Sequence, residues 1–301
     1  MPEPYDVIVI GAGITGLTAS KLLAQRGFRV ANLEGALFGG LVTNINALEG
    51  PFEGSGADVA STLMMEVADL GCATLSESAS GLLHDDHAVL VGTDAGEHRA
   101  RAVVVASGAM LKRLAVPGEA ELAYKGVSQC ADCDGPMFQG QDVVVVGGGD
   151  SALQEALVLA EFCSRVHILH RGAQLTARPA WVEALRRHRN VAVTAHAEVT
   201  AIEGDHVVER VRARVNGIDA VFACSGVFAY VGLAPATAFL PASIERDADG
   251  AVLPDASLAT TMPDVYAAGA VRAGFGGTLA HAVEDAERAA AAVARRLRGG
   301  S

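Results

Sequence analysis

The residues whose types and spacing point most directly to chemistry are Cys130-Ala131-Asp132-Cys133-Asp134-Gly135-Pro136. Thiols at positions i and i+3 can close into a disulfide across one turn of backbone, and the carboxyl of Asp134 directly follows the second sulfur. The same spacing also fits half of a zinc knuckle. Zinc needs two more ligands at similar spacing, and the remaining cysteines, Cys72, Cys163 and Cys224, are scattered singly. A dithiol that is reduced, attacked and re-formed is therefore the preferred reading. It is reinforced by the glycine-rich loops that stand on either side of it.

Those loops belong to elements that would have to position the sulfurs. Asp6 to Ile10 is a short apolar, β-branched run that reads as a buried parallel strand. Gly11-Ala12-Gly13-Ile14-Thr15-Gly16 follows at once, then a helical stretch from Leu17 to Arg26 and a second strand from Arg29 to Leu33. In this strand–loop–helix–strand context the glycines serve a tight turn, a close approach of pyrophosphate and helix–strand packing. The helix N-terminus presents unpaired N–H groups to the phosphates. Glu34, 23 positions after Gly11, is placed to accept hydrogen bonds from a ribose. The pattern repeats. Asp142 to Val146 reads as a strand, Gly147-Gly148-Gly149-Asp150-Ser151-Ala152 as a second loop opening a helix to about Phe162, and Arg165 to Leu169 as the next strand. His170 lies 23 positions after Gly147, and Arg171 follows it. A carboxylate suits a free 2′-hydroxyl and a cation suits a 2′-phosphate. The first loop thus reads as the site for the adenosine of FAD and the second as a site for NADPH. Arg178 adds local positive charge, whereas Arg186, Arg187 and Arg189 read as a solvated helix face.

The remaining chain fills out two units of one plan. A helix is expected from about Ala57 to Leu70, and short alternating strands from Cys72 to Val105 with turns near 84–87 and 93–96. His84 and His87 flank one of those turns and read as hairpin residues rather than a metal pair. Val191–Val199 and Val207–Val215 are expected to be strands. Ala220–Gly226 is expected to be the second unit's closing strand, mirroring Val103–Gly108. Val265–Ala270 is a final strand, and Thr278 is a good N-cap for a last helix, Leu279–Leu297. The expected fold class is α/β, with two Rossmann-like, three-layer dinucleotide-binding domains, the second inserted into the first. The expected boundaries are 1–113 with 238–301, and 114–237. A net charge of −12 argues against nucleic acid or an anionic membrane as the main partner. No apolar run approaches the roughly 20 residues of a membrane span. Five cysteines and an N-terminus without a basic or apolar leader suit a reducing, cytoplasmic compartment.

Taken in order, Gly11–Gly16, Gly39-Gly40, Ser107-Gly108, Cys130–Gly135, Gly147–Ala152, His170-Arg171 and Ala267-Ala268-Gly269 make the chain resemble the low-molecular-weight thioredoxin reductases over nearly its whole length. The resemblance implies FAD in the first domain, held by Gly11, Gly13, Ile14, Thr15, Gly16, Glu34, Gly40, Thr43, Ser107, Gly108, Gly269, Ala270, Thr278 and Leu279. It implies NADPH (or NADH) in the second, at Gly147, Gly149, Asp150, Ser151, His170, Arg171 and Arg178. Cys133 would be the thiol beside the flavin, Cys130 the one that attacks the substrate, and Asp134 the proton donor and acceptor. The implied partner is thioredoxin, another dithiol protein or a small disulfide, and the implied assembly a homodimer. Four positions depart from the family pattern: Ala270 stands in place of an aspartate, Leu41 in place of a glutamine, Gly277-Thr278-Leu279 in place of Arg-Gln-Ala, and Gly172 in place of a second arginine. The departures motivate two other expectations: a flavin-dependent dithiol oxidase or ferredoxin-fed reductase, and a redox-sensing flavoprotein with little turnover. His281, in the first turn of the last helix, reads first as a surface or packing histidine, with the tuning of a flavin as the alternative.

Overall fold

A computed structural model describes residues 4–36, 38–45, 48, 53–85 and 88–299. The turn residues Asp86 and His87 lie outside the described residues. The chain divides into two compact units, Met1–Met110 with Ala234–Ser301, and Leu111–Leu233.

In the first unit, β1 (Tyr5–Ile10) leads into α1 (Ile14–Gln25) and β2 (Val30–Leu33). Helix α2 (Gly56–Asp69) and strands β3 (Ala73–Leu75), β4 (Ala79–His84), β5 (Val89–Thr93) and β6 (Glu97–Val105) follow. β1 pairs in parallel with both β2 and β6, and β3 adds to β2. β4 and β5 extend the N-terminal half of β6 as an antiparallel hairpin. Alternate residues of the central strands enter different cores. Val7, Val9, Ala102 and Val104 pack on helix residues Leu23, Ala289, Ala290 and Val293. Ile8, Ile10, Val103 and Val105 pack on the hairpin and on Leu240, Ile244 and Val252. Both faces are covered, which is why these strands are continuously apolar instead of alternating.

A short strand at each crossing of the chain, β7 (Ala109–Leu111) and later β16 (Leu233–Pro235), brackets the second unit. That unit runs β8 (Val127–Ser128), α3 (Ala131–Asp134), β9 (Asp142–Val146), α4 (Asp150–Phe162), β10 (Arg165–Leu169), α5 (Pro179–Arg186) and β11 (Val191–Thr194). It continues through β12 (Ala197–Glu203), β13 (Arg210–Val215), β14 (Ile218–Ala223) and β15 (Gly226–Ala229). The parallel sheet has the order β11-β10-β9-β15-β8, and β12-β13-β14 form a separate antiparallel sheet. Val143, Val145 and Ile168 pack on α4, while Val144, Val146 and Leu169 pack on residues of the antiparallel sheet. The layering of the first unit is repeated.

Two expectations are corrected here. Val191–Val199 is not one strand: His196 takes a left-handed conformation, φ 52°, and the break sends β11 and β12 into different sheets. The closing strand is β15, which begins at Gly226, the last residue of the expected run. Ala220–Ala223 lies in the antiparallel sheet, whereas Gly226–Ala229 pairs with β9 as β6 pairs with β1. Both runs are apolar, and only the pairing distinguishes them. The chain finally returns to the first unit with β17 (Val265–Ala267), which joins β6, and α6 (Leu279–Gly299).

Candidate functional site

The first glycine loop is built by contacts that only glycine permits at two positions. Gly11 has φ +108°, and a Cβ on it would lie 2.3 Å from the Ala106 carbonyl oxygen. A Cβ on Gly16 would lie 1.9 Å from the Gly11 carbonyl oxygen, so α1 seats directly on the loop. Gly13 is different. Its φ of −76° suits any residue, and a Cβ there would meet only the Gly39 carbonyl oxygen at 3.8 Å. Neither backbone nor packing requires glycine at this position, but a close-approaching ligand would.

The second loop reproduces this division. A Cβ on Gly147, φ +146°, would lie 2.3 Å from the Tyr230 carbonyl oxygen, and one on Gly148 would lie 2.3 Å from Nδ1 of His170. Gly149 has φ −92°, and its Cβ would meet only Thr176 Oγ1 at 3.8 Å. Helices α1 and α4 also begin without a side-chain cap, whereas α2 begins with a Ser55–Asp58 capping box. Uncapped N-terminal N–H groups next to a cradle that a methyl would fill are the arrangement a dinucleotide pyrophosphate requires. The residues present fit FAD and NAD(P)H on this count.

Around the first loop the chain gathers the other FAD candidates. Ala12 N donates to Glu34 Oε2 at 2.9 Å, and Ala36 N donates to Oε1 at 2.9 Å, so the carboxylate braces the loop itself. Gly39 N donates to the Ala12 carbonyl at 2.7 Å, and Thr43 Oγ1 donates to the Gly40 carbonyl at 2.8 Å. Ile14, Val42, Leu279 and Ala282 share a small core that joins this segment to the start of α6. A Cβ on Gly269, φ +78°, would lie 2.5 Å from Thr15 Oγ1, which sets residues 269–271 against α1. Ser107 Oγ donates to the Ala236 carbonyl at 2.8 Å, and Ala236 N donates to Gly108 O at 3.0 Å. Thr278 caps α6 by accepting from His281 N at 3.2 Å, and its hydroxyl lies 2.7 Å from His281 Nδ1. The His281 ring is thus tied to the helix cap.

No sequence signal marked Asp285. It is 2% exposed and accepts from Gly269 N at 2.8 Å and from Arg272 Nε and Nη2 at 2.6 and 2.7 Å. With alanine at position 270, this carboxylate from α6 is the one that holds the turn after β17.

In the second unit His170 faces inward. It is 9% exposed, its ring packs under Gly148, and Nε2 lies 2.7 Å from the Gln174 carbonyl oxygen. Arg178 is joined to Asp150, with N to Oδ1 at 2.7 Å and Nε to Oδ2 at 2.5 Å. Thr176 N and Ala177 N both donate to the Gly148 carbonyl. His170, Asp150 and Arg178 therefore shape the loop, whereas Arg171 and Ser151 are exposed beside it.

The sulfurs are bonded to each other, Cys130 to Cys133, with Cα atoms 5.4 Å apart. Among the described residues no group of three or more His, Cys, Asp or Glu is arranged to hold a metal ion. Cys130 is the N-cap of α3, and its Sγ accepts from Cys133 N at 3.2 Å. Two flanking carboxyls hold the turn. Ser128 Oγ donates to Asp134 Oδ2 at 2.6 Å and accepts from Cys130 N at 3.1 Å. Ala131 N donates to Glu155 Oε2 at 2.7 Å, and the Tyr230 hydroxyl donates to the same oxygen at 2.9 Å. A Cβ on Gly135 would touch Leu159 and Phe162, so the turn packs on α4, the helix that the second glycine loop opens. Sequence reasoning missed Ser128, Glu155 and Tyr230. The serine two residues before Cys130 was the readable hint; the other two come together only through the sheet. Two of the other cysteines, Cys163 and Cys224, are buried. Burial, helped by Asp142, pushes the thiols of Cys163 and Cys224 up to about 11 and about 12.

Residues 5–294 match the family described as Pyridine nucleotide-disulphide oxidoreductase. A thioredoxin reductase of Treponema pallidum is 33% identical over 280 residues, covering 91% of this chain and 91% of that protein. One from Mycolicibacterium smegmatis is 34% identical over 272 residues, covering 88% of each. The crystal structure of Lactococcus lactis thioredoxin reductase in its FR conformation superposes with a TM-score of 0.94 at 28% identity, covering 98% of this chain and 99% of that one. The chain belongs to the pyridine nucleotide-disulphide oxidoreductases, among the low-molecular-weight thioredoxin reductases.

Proposed function

We propose that this chain is an FAD-dependent disulfide reductase that takes electrons from NAD(P)H and delivers them through Cys130–Cys133 to a dithiol protein of the thioredoxin kind. The observation that carries the reading is the Cys130–Cys133 disulfide on a turn flanked by Asp134, in a chain with two glycine loops of matching construction. Bound FAD and nicotinamide would supply hydride transfer and the two electrons that open the disulfide. Gly11–Gly16, with Glu34, Gly40, Thr43, Ser107, Gly108, Gly269, Ala270, Thr278 and Leu279, would hold the first cofactor. Gly147, Gly149, Asp150, Ser151 and Arg171 would hold the second, with His170 and Arg178 shaping its loop.

The chain's own chemistry is thiol exchange. The reduced Cys130 thiolate attacks one sulfur of the substrate disulfide, forming a mixed disulfide and releasing the first substrate thiolate. The Cys133 thiolate then attacks Cys130 Sγ, which re-forms the protein disulfide and releases the second substrate thiolate. Asp134, which accepts from Ser128 Oγ, would give and take the protons that these thiolates need. The resemblance to reductases over about nine-tenths of the chain favours this reading over a flavin-dependent dithiol oxidase or a ferredoxin-fed reductase. Homodimeric assembly and work in the cytoplasm belong to the same reading. No helix among the described residues is long and apolar enough to cross a membrane.

The test is steady-state oxidation of NADPH and of NADH with oxidised thioredoxin, lipoamide or cystine as acceptor. Turnover with a disulfide acceptor that disappears in both C130S and C133S is expected. Nucleotide oxidation that persists in either variant with the same acceptor contradicts the proposal, as does peroxide formation from a dithiol in air without nucleotide.

A further inference from the structure

One half-buried carboxyl beside the dithiol, Glu155, has no part in the thiol exchange proposed above. Glu155 lies on α4, one and a half turns beyond the second glycine loop. Both donors, Ala131 N at 2.7 Å and the Tyr230 hydroxyl at 2.9 Å, converge on its Oε2. Tyr230 is 7% exposed and immediately follows β15, and its carbonyl oxygen stands over Gly147. One residue therefore connects the closing strand, the glycine-loop helix and the peptide that joins Cys130 to the turn.

We propose that Glu155 is a positioning residue of the dithiol: braced by Tyr230, its carboxylate holds the Cys130–Ala131 peptide and opposes a thiolate at Cys130. As the N-cap of the turn, Cys130 would draw on the turn's N–H groups to stabilise a thiolate. The Cys133 N–H already points at its sulfur, at 3.2 Å, but the Ala131 N–H is taken by the carboxylate. A negative charge one peptide away raises the free energy of a second negative charge on Cys130. A less stable reduced form makes the couple a stronger reductant, which suits a protein that passes electrons outward. Burial pushes the Glu155 carboxyl above the usual carboxylate range, against the pull of its two hydrogen bonds, and Asp132 adds to the rise. The titratable groups that act on the Glu155 carboxyl are Asp132 and Tyr230, and burial with the Glu155 charge raises the Tyr230 hydroxyl in turn.

The inference rests on Cys130–Cys133 being the redox couple, and the experiment separates the two. The dithiol midpoint potential is measured on the flavin-loaded full chain by equilibration with glutathione buffers and thiol counting, for wild type, E155Q, E155A and Y230F. Glutamine keeps an acceptor for both donors and removes only the charge. E155Q should shift the dithiol–disulfide equilibrium about tenfold toward the reduced form, about 30 mV less negative for a two-electron couple. The pH profile of iodoacetamide labelling at Cys130 should move to lower pH. Y230F, which removes one hydrogen bond to the charge, should shift both in the same direction by less. If E155A fails to fold, E155Q still decides the matter. An E155Q potential and labelling profile that do not move, or that move the opposite way, overturn the inference while leaving the redox reading intact. A wild-type protein with no two-electron thiol couple overturns both.

Discussion

Replacing Gly13 by alanine separates what the first loop needs in order to fold from what it needs in order to bind. Gly13 sits at φ −76° and ψ −179°, extended backbone that alanine adopts freely, and its nearest neighbour in the Cβ direction is 3.8 Å away. Reduced freedom of the unfolded chain favours alanine by about 0.4–1 kcal/mol, and alanine is a poorer N-cap by a similar amount. The two offset, so the apoprotein Tm should stay within about 2–4 °C of wild type. Gly16→Ala is the control. Its Cβ would lie 1.9 Å from the Gly11 carbonyl oxygen and 2.9 Å from the carbonyl carbon, so the backbone must move. That overpacking costs about 1–3 kcal/mol or more. Binding should rank the other way relative to stability. A methyl at position 13 would stand where the pyrophosphate approaches, and each hydrogen bond to a charged phosphate that is lost costs about 1.5–3 kcal/mol. That is about a tenfold to hundredfold rise in Kd. The assay pairs thermal unfolding of the apoprotein with FAD titration followed by flavin fluorescence. A Gly13→Ala protein that binds FAD with wild-type affinity would refute the assignment of this loop to the pyrophosphate. Gly149→Ala should behave alike toward NAD(P)H, since its only neighbour is also at 3.8 Å.

Three further outcomes are expected. Asp285→Ala strands the Arg272 charge and the Gly269 N–H in a site where Asp285 is 2% exposed, so urea unfolding should show a loss of about 3–5 kcal/mol. In native protein reduced at pH 8, iodoacetamide should label Cys130 and Cys133 but not Cys163 or Cys224. Raised thiol pKa values of about 11 and about 12 keep those two protonated, with the thiolate fraction growing tenfold per pH unit only up to those values. Mass spectrometry of the peptides reads this directly. Asp134→Asn should slow turnover with a disulfide acceptor about 10²–10⁴-fold while leaving FAD content unchanged, because the carboxyl directly follows Cys133 and belongs to the second unit, whereas the first glycine loop belongs to the first.

Local residue patterns carried much of this molecule. β9 and β10 fall on the expected residues, and Val143–Val146 are apolar without a break because a central parallel strand is covered on both faces. The glycine loops were equally readable, since the turn and the seating of α1 demand glycine at fixed offsets. What sequence could not give was pairing across distance. Ala220–Ala223 and Gly226–Ala229 are both apolar runs, and only their hydrogen bonds show which closes the parallel sheet. His170, read from the sequence as the residue beside the ribose, is a buried ring under Gly148, covered by the fold of residues 174–178 over that loop. Glu155 and Asp285 look like any other acids on a helix until Ala131, Tyr230, Gly269 and Arg272 are brought to them.

The most direct test is an anaerobic reductive titration of the FAD-loaded protein, following flavin absorbance and free thiols together. The account predicts that NADH or NADPH bleaches the flavin and that full reduction takes about two two-electron equivalents, one for the flavin and one for Cys130–Cys133. In C130S it should take about one. Complete bleaching of the wild type after a single equivalent, with no thiols released, would contradict it.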